Sequence, residues 1–317
     1  MFKFFTRLSV PAIILTMTVA AHAAQLSGDA RGSIPHDVQQ LVVIDYRAMQ
    51  NSSTAMELRD RVMPPDLKQF DEAIRKSGLN DNHDVDQLAF ALFRTSASSE
   101  DLETVGIAQG QFDTAGIMAN FRKQKILPKL VRTNRVYPLA HTGMVLCFVE
   151  PSTLVFGSMQ AVRAALNVRD GYAPGMLTNG PMMEAMQAVD SEPLWSVLDK
   201  AGTQTMMKSV LGEAGTVADY ESVRKRLDSS WYGMDFQHGV KFDLTISTGD
   251  SFAAATVSSL LSAAIIYKKM SGDESEKAAL AATDISSNSG LLTIHFATSD
   301  NDFNSLLKSS MFQSMVH

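Results

Sequence analysis

Residue types that could support chemistry are spread thinly along this chain of 317 residues. The acidic segment Asp81–Asp86 is the one candidate for calcium, because carboxylate oxygens are the ligands that Ca²⁺ prefers. An EF-hand loop starting at Asp81 needs an oxygen ligand at its fifth position and glycine at its sixth, where Val85 and Asp86 stand. The segment fails as a calcium loop, and we interpret it as a solvated turn that ends a helix and starts a strand.

Nucleophilic and metal-dependent catalysis lack a recognisable motif. Ser305–Lys308 matches Ser-x-x-Lys in spelling, but it lies in a predicted helix and the companion motifs Ser-Asp-Asn and Lys-Thr-Gly do not occur downstream. Cys147, the only cysteine, lies in an apolar stretch that favours burial over reactivity. The histidines lack the paired spacing of a zinc site. We therefore predict no catalytic, cofactor-binding or metal-binding residue, and no enzyme is favoured.

One run of basic residues, with no acid between Thr114 and Val149, stands out in an otherwise acidic chain. Such a run could meet an anionic partner, such as a membrane surface or a polysaccharide. The alternative is a solvated helix end and strand edge, where Lys and Arg also discourage aggregation. The residues of this candidate anionic-partner patch are Arg122, Lys123, Lys125, Lys129, Arg132 and Arg135.

The amino terminus predicts export to the periplasm or the medium. Lys3 and Arg7 precede the 13-residue, mainly apolar stretch Leu8–Ala20, which is too short to span a bilayer comfortably. Small residues follow, and we predict signal-peptide cleavage between Ala23 and Ala24, with no transmembrane span left in the mature chain. Removal of the two basic residues takes the formal charge from −6 to −8, which argues against general nucleic-acid binding.

Period-two alternation predicts a hairpin within Asp84–Asp113. Its first strand alternates Leu88 and Phe90 with small residues, and its second alternates Val105 and Ile107 with glycine and alanine. We expect the bulky residues of both strands to share one face. The opposite face, lined by alanine and glycine, would then let another element, from this chain or a partner, approach closely.

A second hairpin is predicted at Ser230–Ser247, with one apolar face that is buried and one polar face in water. Asp113 or Thr114 is predicted to cap the helix after the first hairpin, and Asp250 is predicted to cap the helix after the second. Further strands are predicted at Val38–Tyr46, Val131–Leu139, Met144–Val149, Thr153–Gly157, Pro193–Asp199 and Leu291–Ala297.

Methionines concentrate near residue 180, among them Met176, Met182 and Met186. Thioethers could form a pliable apolar binding surface, whereas ordinary flexible packing between two parts of the molecule is the plainer interpretation. A cuprous-ion site is disfavoured because no His or Cys accompanies them.

The order of elements predicts an α+β protein of two similar halves, each a mainly antiparallel sheet packed on helices. Residues 1–23 form the signal peptide, 24–33 a flexible leader, 34–178 the first half and 179–317 the second. The repeated order suggests an internal duplication. From about Ile34 onwards this organisation resembles a functionally uncharacterised class of bacterial exported proteins, and the resemblance implies no functional residue.

Three functions are compatible with these features. The first is an exported non-catalytic protein that binds an unknown protein, ligand or envelope component between its halves or at the small-residue face. The second is an envelope hydrolase with dispersed catalytic residues, which a pocket with converging Asp, His or Ser would favour. The third is an envelope scaffold that uses the basic run.

Overall fold

Strands with alternating apolar residues build the centre of the molecule. The computed structural model describes residues 25–63, 65–76, 78–79, 81–95, 101–139, 142–211, 221, 224–309 and 312–313. In β2 (Val85–Arg94) buried residues alternate with half-buried ones, so one face of the strand is covered more completely than the other. The other strands are β1 (Val38–Asp45), β3 (Leu102–Gly110), β4 (Lys129–Val131), β5 (Asn134–Pro138), β6 (Val145–Glu150), β7 (Thr153–Gly157), β8 (Leu194–Leu198), β9 (Leu227–Asp235), β10 (Val240–Thr248), β11 (Thr283–Asn288) and β12 (Leu291–Thr298).

These strands form one 12-stranded sheet in the order β11-β12-β10-β9-β8-β1-β2-β3-β7-β6-β5-β4. Every pairing in the described chain is antiparallel, and with the helices on both faces the fold class is α+β, as predicted. β1 and β8 pair side by side, with Leu41 opposite Val197. Strands from residues 34–178 and from residues 179–317 therefore join in a single sheet.

Helices begin at capping side chains. The Asp113 carboxylate accepts a hydrogen bond from the Gly116 N–H at 2.9 Å, and the Asp250 carboxylate accepts one from the Ala253 N–H at 2.7 Å, so both predicted acidic caps are confirmed. The helices are α1 (Gly28–Arg31), α2 (Tyr46–Met49), α3 (Ser53–Val62), α4 (Pro65–Lys76), α5 (Asp81–Asp84), α6 (Thr114–Lys123), α7 (Met159–Arg169), α8 (Gly180–Gln187), α9 (Lys200–Leu211), α10 (Ser251–Ser271), α11 (Glu274–Ala281) and α12 (Asp300–Leu306), with a 3-10 turn at Met176–Thr178.

The register of the β2–β3 hairpin overturns the predicted small-residue face. Phe90 pairs with Gly106 and Leu88 pairs with Ala108, while Ala89 lies opposite Ile107. Directly opposite residues share a face, so each face of the hairpin combines bulky residues of one strand with small residues of the other. The pairing shifts by one residue near Val85, an irregularity that alternation within each strand does not reveal.

One face of the sheet, here named the closed face, is filled by the chain's own helices. Ala89 and Ala91 belong to the same buried cluster as Ala161 and Ala165 of α7, and this helix packs on β3, β6 and β7. The methionines near residue 180 are buried in this cluster: Met176, Met182 and Met186. They pack the interior and do not form a binding surface.

The opposite face, named the open face, carries α3, α4 and α6 beside β1–β3 and α9–α12 beside β9–β12. In β10 the residues Leu244 and Ile246 are buried under helices, whereas Lys241 and Asp243 point to water from the other side. The predicted division of the second hairpin into a buried and a wet face is confirmed.

Two edge regions differ from the prediction. The single strand expected at Val131–Leu139 is a hairpin, β4 and β5, because Arg132 adopts a left-handed conformation with φ of 53° and turns the chain. At the other edge, β11 was not predicted as a strand, and a loop was expected at Ser286–Gly290. Its sequence, Thr-Asp-Ile-Ser-Ser-Asn, carries almost no apolar alternation, because an edge strand in water needs none.

Gly106 provides a test of the β2–β3 register. A side chain there would overlap the Phe156 ring, which stacks on Phe70 with centroids 4.4 Å apart. We expect Gly106→Val to lower the free energy of unfolding by about 1–3 kcal/mol through overpacking, measured by chemical denaturation.

The control for this substitution is Gly180→Ala, at a position where an added Cβ meets no atom within 4 Å. Gly180→Ala should change the stability little. Equal stability of the two variants would contradict the close approach of Phe156 to β3.

Candidate functional site

An apolar cleft lies on the open face between the sheet and the helices α3 and α4. Its volume is about 350 Å³, which is at the lower end of the range for small-molecule sites. Strands supply its floor, and the helices and the segment joining them supply its roof. The apolar side chains that line it are Val42, Ile44, Met49, Met56, Val62, Met63, Leu67, Leu88, Phe90 and Leu92.

Strand alternation positions the floor of the cleft. Leu41 and Val43 of β1 are buried in the closed-face cluster, so Val42 and Ile44 point to the open face and remain half-buried. The same alternation brings the bulky residues of β2 to this side. Apolar side chains that remain half-buried in the interior of a sheet mark a surface that the chain's own helices do not fill.

The helices α3 and α4 form the roof because the chain breaks between them. α3 ends at Val62, and Met63 is extended with ψ of 118°. α4 begins at Pro65, where proline is tolerated because the first turn has no intrahelical partner for its nitrogen. The break directs Met63 and Leu67 into the cleft.

Aromatic rings close the inner end. Phe156 stacks on Phe70 at 4.4 Å and meets Phe90 edge-on at 5.9 Å between ring centroids. A small inner pocket of about 70 Å³ continues from the cleft between these rings and Leu154. Phe70 and Ile74 of α4 are buried beside these rings and are 5% and 7% exposed.

Arg59 is the cation at the wall of the cleft. Its guanidinium donates hydrogen bonds to the Tyr46 hydroxyl and to the Asp60 carboxylate, and it lies 5.6 Å from the centroid of the Tyr46 ring. The side chain is 18% exposed. The cleft therefore offers a long apolar surface with one charged, already partnered group at its side, an arrangement suited to holding an apolar molecule.

A second, polar pocket of about 570 Å³ collects carboxylates, hydroxyls and an imidazole: Asp45, Ser52, Ser191, Glu192, Asp235 and His238. Asp45, Ser52 and Asp235 each accept a hydrogen bond from a nearby backbone N–H, so these groups hold local chain turns. Among the residues that the structure describes, no hydroxyl of this pocket is hydrogen-bonded to His238. Acids, a His and serines converge here, but no paired nucleophile and base results.

Glu192 has a perturbed acidity in this pocket. Burial raises the pKa of its carboxyl, the charges of Asp235 and Asp243 raise it further, and Lys241 acts in the opposite direction. Its side chain lies against the backbone of Gly233, where no Cβ intervenes. Burial and neighbouring like charges raise the pKa of carboxyl groups in catalytic sites and in structural positions alike. The raised pKa of Glu192 therefore does not by itself identify a catalytic acid.

The predicted anionic-partner patch lies at the β4 end of the sheet, and all its members are exposed. Arg132 is engaged internally: its guanidinium is 2.9 Å from the Asp170 carboxylate and stacks 4.5 Å from the centroid of the Tyr172 ring. Arg122 and Arg135 line one groove of about 940 Å³ together with Tyr137 and Phe148. We name this the basic groove.

The remaining predicted positions have local roles. Cys147 is 1% exposed, and burial raises the pKa of its thiol to about 11, so its predicted burial is confirmed. The Ser305 hydroxyl donates to a backbone carbonyl one turn earlier in α12. Asp81–Asp84 forms the helix α5 and not the predicted turn. The predicted cleavage site, Ala23 and Ala24, lies outside the described residues.

Two kinds of site are absent from the described residues. No three His, Cys, Asp or Glu side chains within them come together in a way that could hold a metal ion. None of the helices in the described part of the chain has both the length and the hydrophobicity needed to cross a membrane.

Comparison with known proteins gives a likeness of fold. No family model matches the chain, and no curated sequence matches it. The structure of crystal form I of TP0453, a Treponema protein of uncertain function, is similar with a TM-score of 0.52 and 12% identity, over 92% of this chain and 99% of that one. Crystal form III of TP0453 gives 0.50 and 11%, over 87% and 96%. At such low identity the comparison shows a similarity of fold alone.

The cleft was not predicted from the sequence. The alternation of Leu88 and Phe90 indicated a bulky face of the hairpin, but it does not show that a space remains between this face and a helix. The feature of the sequence that could have indicated the cleft is the pair Pro64 and Pro65. Two prolines at this point prevent α3 and α4 from forming one continuous helix that lies flat on the sheet.

Glu192 gives a pH-dependent prediction. A carboxyl whose pKa is raised in the folded protein binds its proton more tightly there than in the unfolded chain, so stability falls as the pH rises above the ordinary value of 4.5. We expect Glu192→Gln to match the wild type in free energy of unfolding at lower pH, and to become the more stable protein as the pH rises to neutrality.

Denaturant unfolding over a pH series measures this difference in free energy of unfolding. Glu184→Gln makes the same change at an exposed position of α8 and is the control. Its effect is subtracted from that of Glu192→Gln. A pH-independent difference between Glu192→Gln and the wild type would show that the carboxyl is not perturbed in this way.

Proposed function

We propose that this is an exported, non-catalytic protein that binds an apolar ligand in the cleft between the sheet and α3–α4. The observation that carries the proposal is the unfilled apolar space itself. Half-buried aliphatic and aromatic side chains face it from four elements, β1, β2, α3 and α4. Leaving this much apolar surface open costs stability, at about 25 cal/mol per Å², unless another molecule covers it.

The chemistry of the lining indicates the class of ligand. Its polar groups are few, and Arg59 is already hydrogen-bonded to Tyr46 and Asp60. Shape and apolar contact would dominate recognition, and the aromatic rings at the inner end would stack on a flat or unsaturated group. A strongly charged metabolite finds no matching set of donors here.

An envelope hydrolase is the second candidate, and the polar pocket around Glu192 is the observation that favours it. A half-buried carboxyl with a raised pKa could act as a general acid. The absence of a hydroxyl–imidazole pair among the described residues of this pocket weighs against it. Non-catalytic binding is therefore the function that we put first.

Export is part of the proposal. A basic start, the apolar stretch Leu8–Ala20 and small residues before Ala24 support it. We expect the protein expressed in its bacterial host to be recovered outside the cytoplasm with Ala24 as its first residue, determined by amino-terminal sequencing. An intact Met1 on cytoplasmic protein would contradict this part of the proposal.

The cleft is tested by filling it. We expect the wild-type protein to bind the uncharged fluorophore N-phenylnaphthylamine with a rise in its emission. Leu92→Trp adds an apolar ring to the cleft, so the Kd should rise by about tenfold or more, or about 1.4 kcal/mol, without loss of folding.

Leu102→Trp is the matched control, because Leu102 is 41% exposed on the neighbouring strand and does not line the cleft. Its Kd should equal that of the wild type. Equal affinity of Leu92→Trp and Leu102→Trp, or no binding by the wild type, would count against the cleft as the binding site.

A further inference from the structure

A surface at the β4 end of the sheet combines free cations with exposed leucines. Five basic side chains surround it, and within the part of the chain that the structure describes none of the five has an acidic partner. The leucines Leu127 and Leu130 are 76% and 71% exposed among them. The cations are Arg122, Lys123, Lys125, Lys129 and Arg135, and with the two leucines they define what we name the basic–leucine surface.

Local structure holds the surface in shape. The Ile126 N–H donates to the Phe121 carbonyl at 2.8 Å, and Lys125 has a φ of 59°, so the segment after α6 is a closed helix-terminating turn. Leu130 lies directly opposite Arg135 in the β4–β5 pair, so an apolar and a cationic side chain share one face. Leu127, Arg122 and Arg135 also line the basic groove.

Neither charge nor hydrophobicity alone explains this composition. An exposed strand edge is protected from aggregation by lysine, but two leucines that are more than two-thirds exposed work against that purpose. A polysaccharide or an acidic protein tail would neutralise the cations and leave the leucines in water. A lipid bilayer can bind both kinds of side chain. Its phosphate groups attract the cations, and leucine side chains can enter the acyl region just beneath those groups.

We propose that the basic–leucine surface docks this protein on a membrane surface rich in anionic phospholipid. The chain carries a formal charge of −6, so repulsion elsewhere and attraction at this one surface would orient it. The inference goes beyond ligand binding in the cleft and does not depend on it.

Sedimentation with vesicles tests the proposal on the mature full-length protein. We expect binding to vesicles of phosphatidylglycerol mixed with phosphatidylcholine, little binding to phosphatidylcholine alone, and release as salt is raised. Lys125→Gln with Lys129→Gln should lower the partition coefficient by about fivefold for each charge removed. Leu127→Ser with Leu130→Ser keeps the charge and should lower it by about tenfold or more.

Two double variants at exposed positions elsewhere serve as controls. Lys208→Gln with Lys308→Gln makes the same charge change, and Leu102→Ser with Leu177→Ser removes leucines that are 41% and 53% exposed. Both should bind the anionic vesicles like the wild type.

Three outcomes would overturn the proposal. If the protein sediments equally with both kinds of vesicle, or with neither, anionic lipid does not recruit it. Full binding by the leucine double variant, together with salt-sensitive binding of the wild type to a soluble anionic polysaccharide, would identify a polyanion as the partner instead.

Discussion

The pairing of Phe90 with Gly106 is the constraint on which much of the molecule depends. Because Gly106 has no side chain, the Phe156 ring can lie over β3 and hold Phe70 and Phe90 around it. On the other face the same register places Ala89 in the buried cluster to which Ala161 and Ala165 of α7 also belong. One hairpin thus has a buried face and a face whose aromatic rings end in an open cleft.

The β1–β8 pair is the second organising contact, because the two predicted halves meet there. Strand order runs outward from this pair as β2, β3 and β7 on one side and as β9, β10 and β12 on the other. A duplicated unit would give such an order, and the duplication stays a prediction. The physical consequence is clear in either case: with β1 and β8 paired, neither presents an unpaired edge, and the edges are left to β4 and β11.

Sequence patterns predicted local features well and relations between elements poorly. β7 and the caps at Asp113 and Asp250 depend on neighbouring residues only, and each was found as expected. Alternation also gave the correct faces within β2 and within β3. It could not say which face of one strand meets which face of the next, since that relation depends on the register of pairing across the hairpin. The polar strand β11 carried no signal at all.

The functional features were harder to predict for the same reason. The cleft is a space between a stripe on α4 and a face of β2, and a sequence reports side chains, not the distance between them. The basic run was visible in the sequence, but the sequence did not show which of its side chains are paired with acids. Arg132 pairs with Asp170, whereas Arg135 lies beside Leu130. Both the cleft and the basic groove open from one aromatic cluster on the open face, which includes Phe156 and Tyr137. The closed face is filled by α7 and α8, so both proposed binding surfaces lie on the same side of the sheet.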